Sequence, residues 1–156
     1  MKKEIKEIIS WTLHELNMHS DDAVELIYRT GMAETKYKHL IQMGGGPAVG
    51  FFQCEPATMR DIIENYASYR PELMTKLYAL GYDDKDAEMR MMGSIPLQVA
   101  FCRLCYRRDK NSIPYRRDKY MIPSAEDMAE QGKYWKRVYN TKLGKGTLEH
   151  FLESNA

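Results

Sequence analysis

A chain of 156 residues has the length of one domain, enough to bury roughly two-thirds of its unfolded surface and so to build both a core and a cleft. Its 23 Lys and Arg stand against 22 Asp and Glu, and a formal net charge of +1 supplies no global field to gather nucleic acid or an anionic membrane. The 3 cysteines, Cys54, Cys102 and Cys105, are odd in number and lack zinc-site spacing, so the expectation is reduced thiols and no metal.

The first 20 residues are broken by Glu4, Lys6, Glu7 and His14 where a secretory leader needs an apolar core, so no export signal is expected. No apolar run approaches the ~20 residues that span a bilayer. Ile5, Ile8, Ile9, Leu13 and Leu16 recur at helical spacing, and Ser20-Asp21-Asp22 then caps a second helix carrying Ala23, Leu26, Ile27 and Met32. That helix is predicted over about Asp21 to Glu34, antiparallel to the first, with Gly31 as a point of close approach or weakness near its end.

Residues 36–55, KYKHLIQMGGGPAVGFFQCE, change character: three glycines, a proline and short β-compatible pieces at Leu40–Met43 and Val49–Gln53 predict a hairpin-like or irregular wall. Pro56 suits a helix start, and Thr58, Ile62, Ile63, Tyr66 and Tyr69 carry that helix to Arg70-Pro71. A helix from Pro71 to about Leu80 follows, closed by Gly81. From Asp83 to about Arg108 the pattern is helical, but Gly93 and Pro96 divide it, and the apolar stretch around Val99, Phe101 and Leu104 reads as the central buried helix. The proline-bounded connection NSIPYRRDKYMIP leads to a helix predicted from Ser124 to about Tyr139, and Thr147 caps a last short one through Leu152. The expected fold class is mainly α, a single domain over 1–156 with a small hairpin or irregular wall beside a cleft.

The segment that carries chemistry is GMAET at 31–35 followed by GPAVGFFQCEPAT at 46–58. Glu34-Thr35 at a helix end, then Gly50-Phe51-Phe52-Gln53 and Pro56-Ala57-Thr58, resembles the lysozyme-like superfamily in its lytic transglycosylase and goose-type lysozyme branch. Tyr139-Asn140 resembles the start of that branch's Tyr-Asn-Ala-Gly element, with Thr141 and Lys142 in place of Ala-Gly. The Gln-x-Glu-Pro-Ala-Thr segment and the terminal Tyr-Trp-Lys-Arg-x-Tyr-Asn-Thr are similar to compact members from tailed bacteriophages. The resemblance implies an α+β lysozyme-like fold and cleavage of the β-1,4 bond between N-acetylmuramic acid and N-acetylglucosamine. Glu34 would be catalytic, and Thr35, Gly50, Phe52, Gln53, Tyr139 and Asn140 would bind substrate. No cofactor and no membrane insertion are expected. An enzyme made in the host cytoplasm without a leader would reach the wall as a virion component, in company with phage tail or virion proteins, or by release through a holin.

Physical chemistry supports such a role for a carboxyl group at a helix end. Glycoside cleavage needs an acid for a poor leaving group while oxocarbenium-like charge develops on the sugar. Flanked by Met32, Ala33 and one of Phe51 or Phe52, Glu34 is expected to be desolvated enough to stay protonated near neutral pH. Gln53 would hydrogen-bond the sugar, Gly50 would let backbone approach it, and Tyr139 would orient Glu34 or the substrate. Between Thr35 and Cys54 there is no Asp or Glu. A second carboxylate would have to be Glu55, whose place at a helix N-terminus has a structural explanation of its own.

Three other readings stay open: a hydrolytic muramidase, a phage structural protein that binds glycan without cutting it, and a helix-turn-helix DNA-binding protein built on residues 22–42 around Gly31 with Lys36, Lys38 and His39. Near-zero charge and the glycine-rich wall weigh against nucleic acid. His14, His39 and His150 lack ligand spacing, and His19 precedes a helix. The arginines 103, 107, 108, 116 and 117 read as a solvated run, the tyrosines as packing groups or walls of a sugar groove, and Met89, Met91 and Met92 as adaptable core filler.

Overall fold

The computed structural model describes residues 1–109, 122–141 and 144–156, and the chain is mainly helical. Arg116, Arg117, Tyr115 and Tyr120 lie outside the described residues, as do Lys142 and most of the connection NSIPYRRDKYMIP. Helix α1 (Lys2–Glu15) and helix α2 (Asp21–Glu34) pair antiparallel. Lys2 sits over the Tyr28 ring, Lys6 binds Glu25, and Ser10 meets His19, so contacts on one helix descend as those on the other rise. Ser20 accepts the Ala23 N–H at 3.0 Å and begins α2 where the cap cluster predicts.

Helix α2 ends at Glu34 because Lys36 and Tyr37 both take left-handed backbone, φ 54° and 58°, which turns the chain back on the helix. Tyr37 then donates its hydroxyl hydrogen to the Tyr28 carbonyl at 2.8 Å and stacks on the Tyr28 ring. Its ring crosses α2 at Gly31, where a Cβ would lie 2.2 Å from the ring carbon and oxygen. Gly31 is therefore a crossing point inside the helix, and residues 38–42 are not helical, so the two helices of a helix-turn-helix are not formed there. Gly31→Ala is expected to cost about 1–3 kcal/mol by overpacking. A denaturant midpoint equal to that of the unsubstituted chain would contradict this contact.

The 36–54 wall is irregular. Ile41 bridges Val49 and Val49 bridges Cys54, each as an isolated antiparallel bridge, and Gly44, Gly45 and Gly50 turn the chain at positive φ. Helix α3 (Pro56–Asn65) stops before Tyr66, earlier than the apolar spacing predicts. Tyr66 leaves helical geometry at φ −134°, and a short 3₁₀ turn at Ala67–Tyr69 completes the run to Arg70. Helix α4 (Pro71–Ala79) closes at Gly81, whose φ is +108°. The 83–108 stretch divides as Gly93 and Pro96 suggest, into α5 (Ala87–Gly93) and α6 (Ile95–Arg107), with the Ser94 hydroxyl accepting the Leu97 N–H.

Helix α6 is the buried axis. Leu97, Ala100, Phe101 and Leu104 enter the cluster formed with α3, α4 and α5, while Val99, Cys102 and Tyr106 enter the one formed with α1 and α2. Met91 is core, whereas Met89 is exposed and Met92 only partly covered. Helix α7 (Met128–Tyr134) begins four residues later than the Ser124 pattern predicts. Ser124 closes a turn by accepting the Asp127 N–H, and the Asp127 carboxylate caps the helix instead by accepting from Glu130 N–H. Residues Trp135–Asn140 continue α7 as a π-helical segment, and α8 (Leu148–Ser154) starts at Thr147, whose hydroxyl accepts the His150 N–H.

Candidate active site

Glu34 lies where three parts of the chain meet: the end of α2, the irregular wall and the π segment after α7. A wider helical turn there places Trp135, Val138, Tyr139 and Asn140 on one side of a cavity of about 800 Å³, facing Ala33 and Glu34. Gln42, Ala48, Gln53 and Cys54 supply the wall side, with Glu55 and Thr58 at the start of α3. Arg108, Lys145 and His150 are the basic residues at its margin. A volume of this size lies within the range of ordinary small-molecule sites.

Burial dominates the electrostatics of Glu34, pushing its carboxyl up to about 7, while the hydrogen bond from the Trp135 indole pulls the other way. The indole Nε1–H donates to Oε2 at 3.0 Å. Trp135 is itself 1% exposed and packs on Phe151 of α8, so the donor is held rigidly. A carboxyl group half-protonated near neutrality, with one oxygen fixed, can both give and take a proton there. His150 steadies the preceding residue: its Nε2 lies 2.7 Å from the Ala33 carbonyl, an acceptor, so that ring nitrogen carries the hydrogen.

The substrate-binding candidates divide. Gln53, Tyr139 and Asn140 line the cavity, as does the possible second carboxylate Glu55, which caps no α3 N–H with its side chain. Gln53 has φ 53°, and its Nε2 donates to the Gly50 carbonyl at 2.9 Å, which fixes the side chain within its own turn. The Tyr139 hydroxyl does not reach Glu34. It donates to the Phe52 carbonyl, and the ring stacks on Tyr106 at 5.3 Å, so Tyr139 ties the π segment to the wall. Asn140 Oδ1 accepts from Lys136 Nζ at 2.7 Å, and the same ammonium donates to the carbonyls of Thr141 and Gly144.

Phe52, Thr35 and Gly50 are placed elsewhere. Phe52 is 1% exposed and packs edge-on against Tyr37 in the core, so its side chain has no face toward a substrate. Thr35 is buried, donating to the Phe51 carbonyl at 2.7 Å and accepting the Tyr37 N–H, which pins the wall to the end of α2. Gly50 faces Gln98 of α6 instead of the cavity: a Cβ there would meet the Gln98 side chain at 2.9 Å, and Gln98 Oε1 accepts the Phe51 N–H. All three hold the wall, and none lines the cavity.

Sequence reasoning assigns no role to Trp135 or His150. The signal for Trp135 is the Tyr-Trp-Lys-Arg run, while His150 has none beyond its place in a capped terminal helix. Thr141 also borders the cavity, at φ 67° and ψ 174°, a conformation nearly confined to glycine and costly by about 1–3 kcal/mol for other residues. Of the tyrosines among the described residues, Tyr139 alone lines this cavity; Tyr82, Tyr106 and Tyr134 are buried, and Tyr69 and Tyr78 lie exposed elsewhere. Among the described residues no group of three or more His, Cys, Asp or Glu could hold a metal ion. No family model, curated protein or solved structure matches the chain.

Proposed function

We propose that the chain is a lysozyme-like enzyme that cleaves the β-1,4 bond between N-acetylmuramic acid and N-acetylglucosamine in peptidoglycan, as a lytic transglycosylase. The observation that carries this reading is a single carboxyl, Glu34, raised to about 7 inside a cavity of about 800 Å³. Protonated Glu34 donates to the leaving oxygen as the glycosidic bond breaks and positive charge develops on the muramyl ring. The resulting carboxylate then takes the proton of the substrate's own C6 hydroxyl as that oxygen closes on C1, giving a 1,6-anhydro ring and restoring the acid. Trp135 stabilises the ionised intermediate form of Glu34 and keeps its second oxygen free for the proton transfer. Gln42, Gln53 and Asn140 are the side-chain amides that line the cavity and would meet a sugar there.

Glu55 favours a second reading. It is the other carboxylate bordering the cavity, and as a base for water it would make the enzyme a muramidase. Digesting purified peptidoglycan and reading the sugar ends by mass spectrometry separates the two. Anhydro-muramyl ends with full activity in Glu55→Gln support the transglycosylase; reducing ends that disappear in Glu55→Gln support the hydrolase. An unsubstituted chain that leaves the glycan intact would remove both and favour a glycan-binding structural protein. Delivery as a virion component or after holin-dependent release belongs to the same proposal and rests on the resemblance to phage proteins.

A further inference from the structure

Two thiols border the same cavity, and the proton chemistry of Glu34 uses neither of them. Cys54 ends the wall, with its backbone N–H and carbonyl both paired to Val49, and Cys105 reaches the cavity from α6. Cys105 packs against the core cluster that contains Cys54, so both side chains sit together beneath that junction, and the Cys54 sulfur lies 3.7 Å from the Glu55 carbonyl oxygen. The contact with Cys54 and the guanidinium of Arg108, one turn further along the chain, hold the Cys105 thiol below its ordinary value, whereas the same contact and burial push Cys54 well up. The third thiol, Cys102, is fully buried on α6 and does not border the cavity. Of two thiols on one cavity, the one held lower is the better attacking sulfur and the one pushed up is left to resolve.

We propose that Cys105 and Cys54 form an oxidisable dithiol, with Cys105 the sulfur that reacts with a small hydroperoxide and Cys54 the one that closes the disulfide. The Cys105 thiolate attacks a peroxide oxygen, the O–O bond breaks, and hydroxide leaves to be protonated, giving a sulfenic acid. The Cys54 sulfur then attacks that sulfur, the S–O bond breaks, and water departs with the thiol proton. One hydrogen peroxide is reduced to two waters, and two thiols are oxidised to one disulfide. The product ties the wall covalently to α6 beside Gln53 and Glu55. This chemistry stands apart from the glycan reading and is measured without it.

The test treats the full chain with hydrogen peroxide and follows it by intact mass, thiol titration and peptide mapping. The expected result is loss of two hydrogens, a fall from three titratable thiols to one, and a reducible Cys54–Cys105 crosslink. Cys102→Ser should behave identically. Cys54→Ser should stop at a sulfenic acid on Cys105, trapped by a dione reagent, with its helical circular dichroism unchanged. A crosslink through Cys102, a crosslink only between chains, or three thiols left unreacted under conditions that oxidise free cysteine would each overturn the proposal.

Discussion

Replacing Glu34 by glutamine is expected to abolish glycan cleavage and, at pH 8, to make the fold more stable. The loss of activity should be about 10³-fold or greater, since general acid and base catalysis by a positioned group contributes about 10²–10⁴-fold and here one residue serves both steps. Stability follows from linkage. The carboxyl titrates at about 7 in the folded chain against 4.5 as its ordinary value, so between those limits the folded state binds more protons than the unfolded one. Stability therefore falls as pH rises through that window, and above it the buried charge costs on the order of 3 kcal/mol. Glutamine keeps an oxygen to accept the Trp135 N–H and never ionises. Thermal unfolding at pH 4 and pH 8 should show the variant gaining on the unsubstituted chain only at the higher pH. An equal difference at both would mean that Glu34 is not a desolvated carboxyl, and undiminished cleavage would dismiss it as the acid.

How far the site was legible in the sequence depends on the range of each interaction. The span of α2 was readable because its determinants are local: a serine cap, apolar spacing, and a chain reversal after Glu34. The wall was readable as irregular because glycines at 44–46 and Pro47 disfavour any regular element. Phe52 leaves the cavity because residues 50–53 form a tight turn, closed by the Gln53 N–H on the Gly50 carbonyl with positive φ at both ends, instead of the extended piece that the sequence predicts. Tyr139 lines the cavity, but its hydroxyl is turned to a backbone carbonyl 87 residues away in sequence. The π segment has no hydrophobic period of its own to reveal it. The Trp135–Glu34 contact spans 101 residues, and no local rule connects such a pair.

That unforeseen contact yields the second large effect, a displaced pH profile in Trp135→Phe. The indole N–H favours ionised Glu34, and phenylalanine removes the donor while keeping the pocket apolar. Losing a hydrogen bond to a charged group weakens the carboxylate by about 1.5–3 kcal/mol, so the Glu34 value should climb above 7 by roughly one to two units. Because the protonated form begins the reaction, activity that declines through about 7 in the unsubstituted chain should persist to higher pH in the variant. Its maximum should be lower, since the carboxyl is no longer fixed through one oxygen and the carboxylate needed for ring closure is less stable. The smaller ring also leaves space beside Phe151, costing about 1–3 kcal/mol of stability. A purely packing role for Trp135 predicts a different outcome, a uniform fall in rate at every pH with the alkaline limb unmoved. The position of that limb, read from rates on peptidoglycan across pH 5 to 9, therefore decides whether the tryptophan tunes the acid or only supports it.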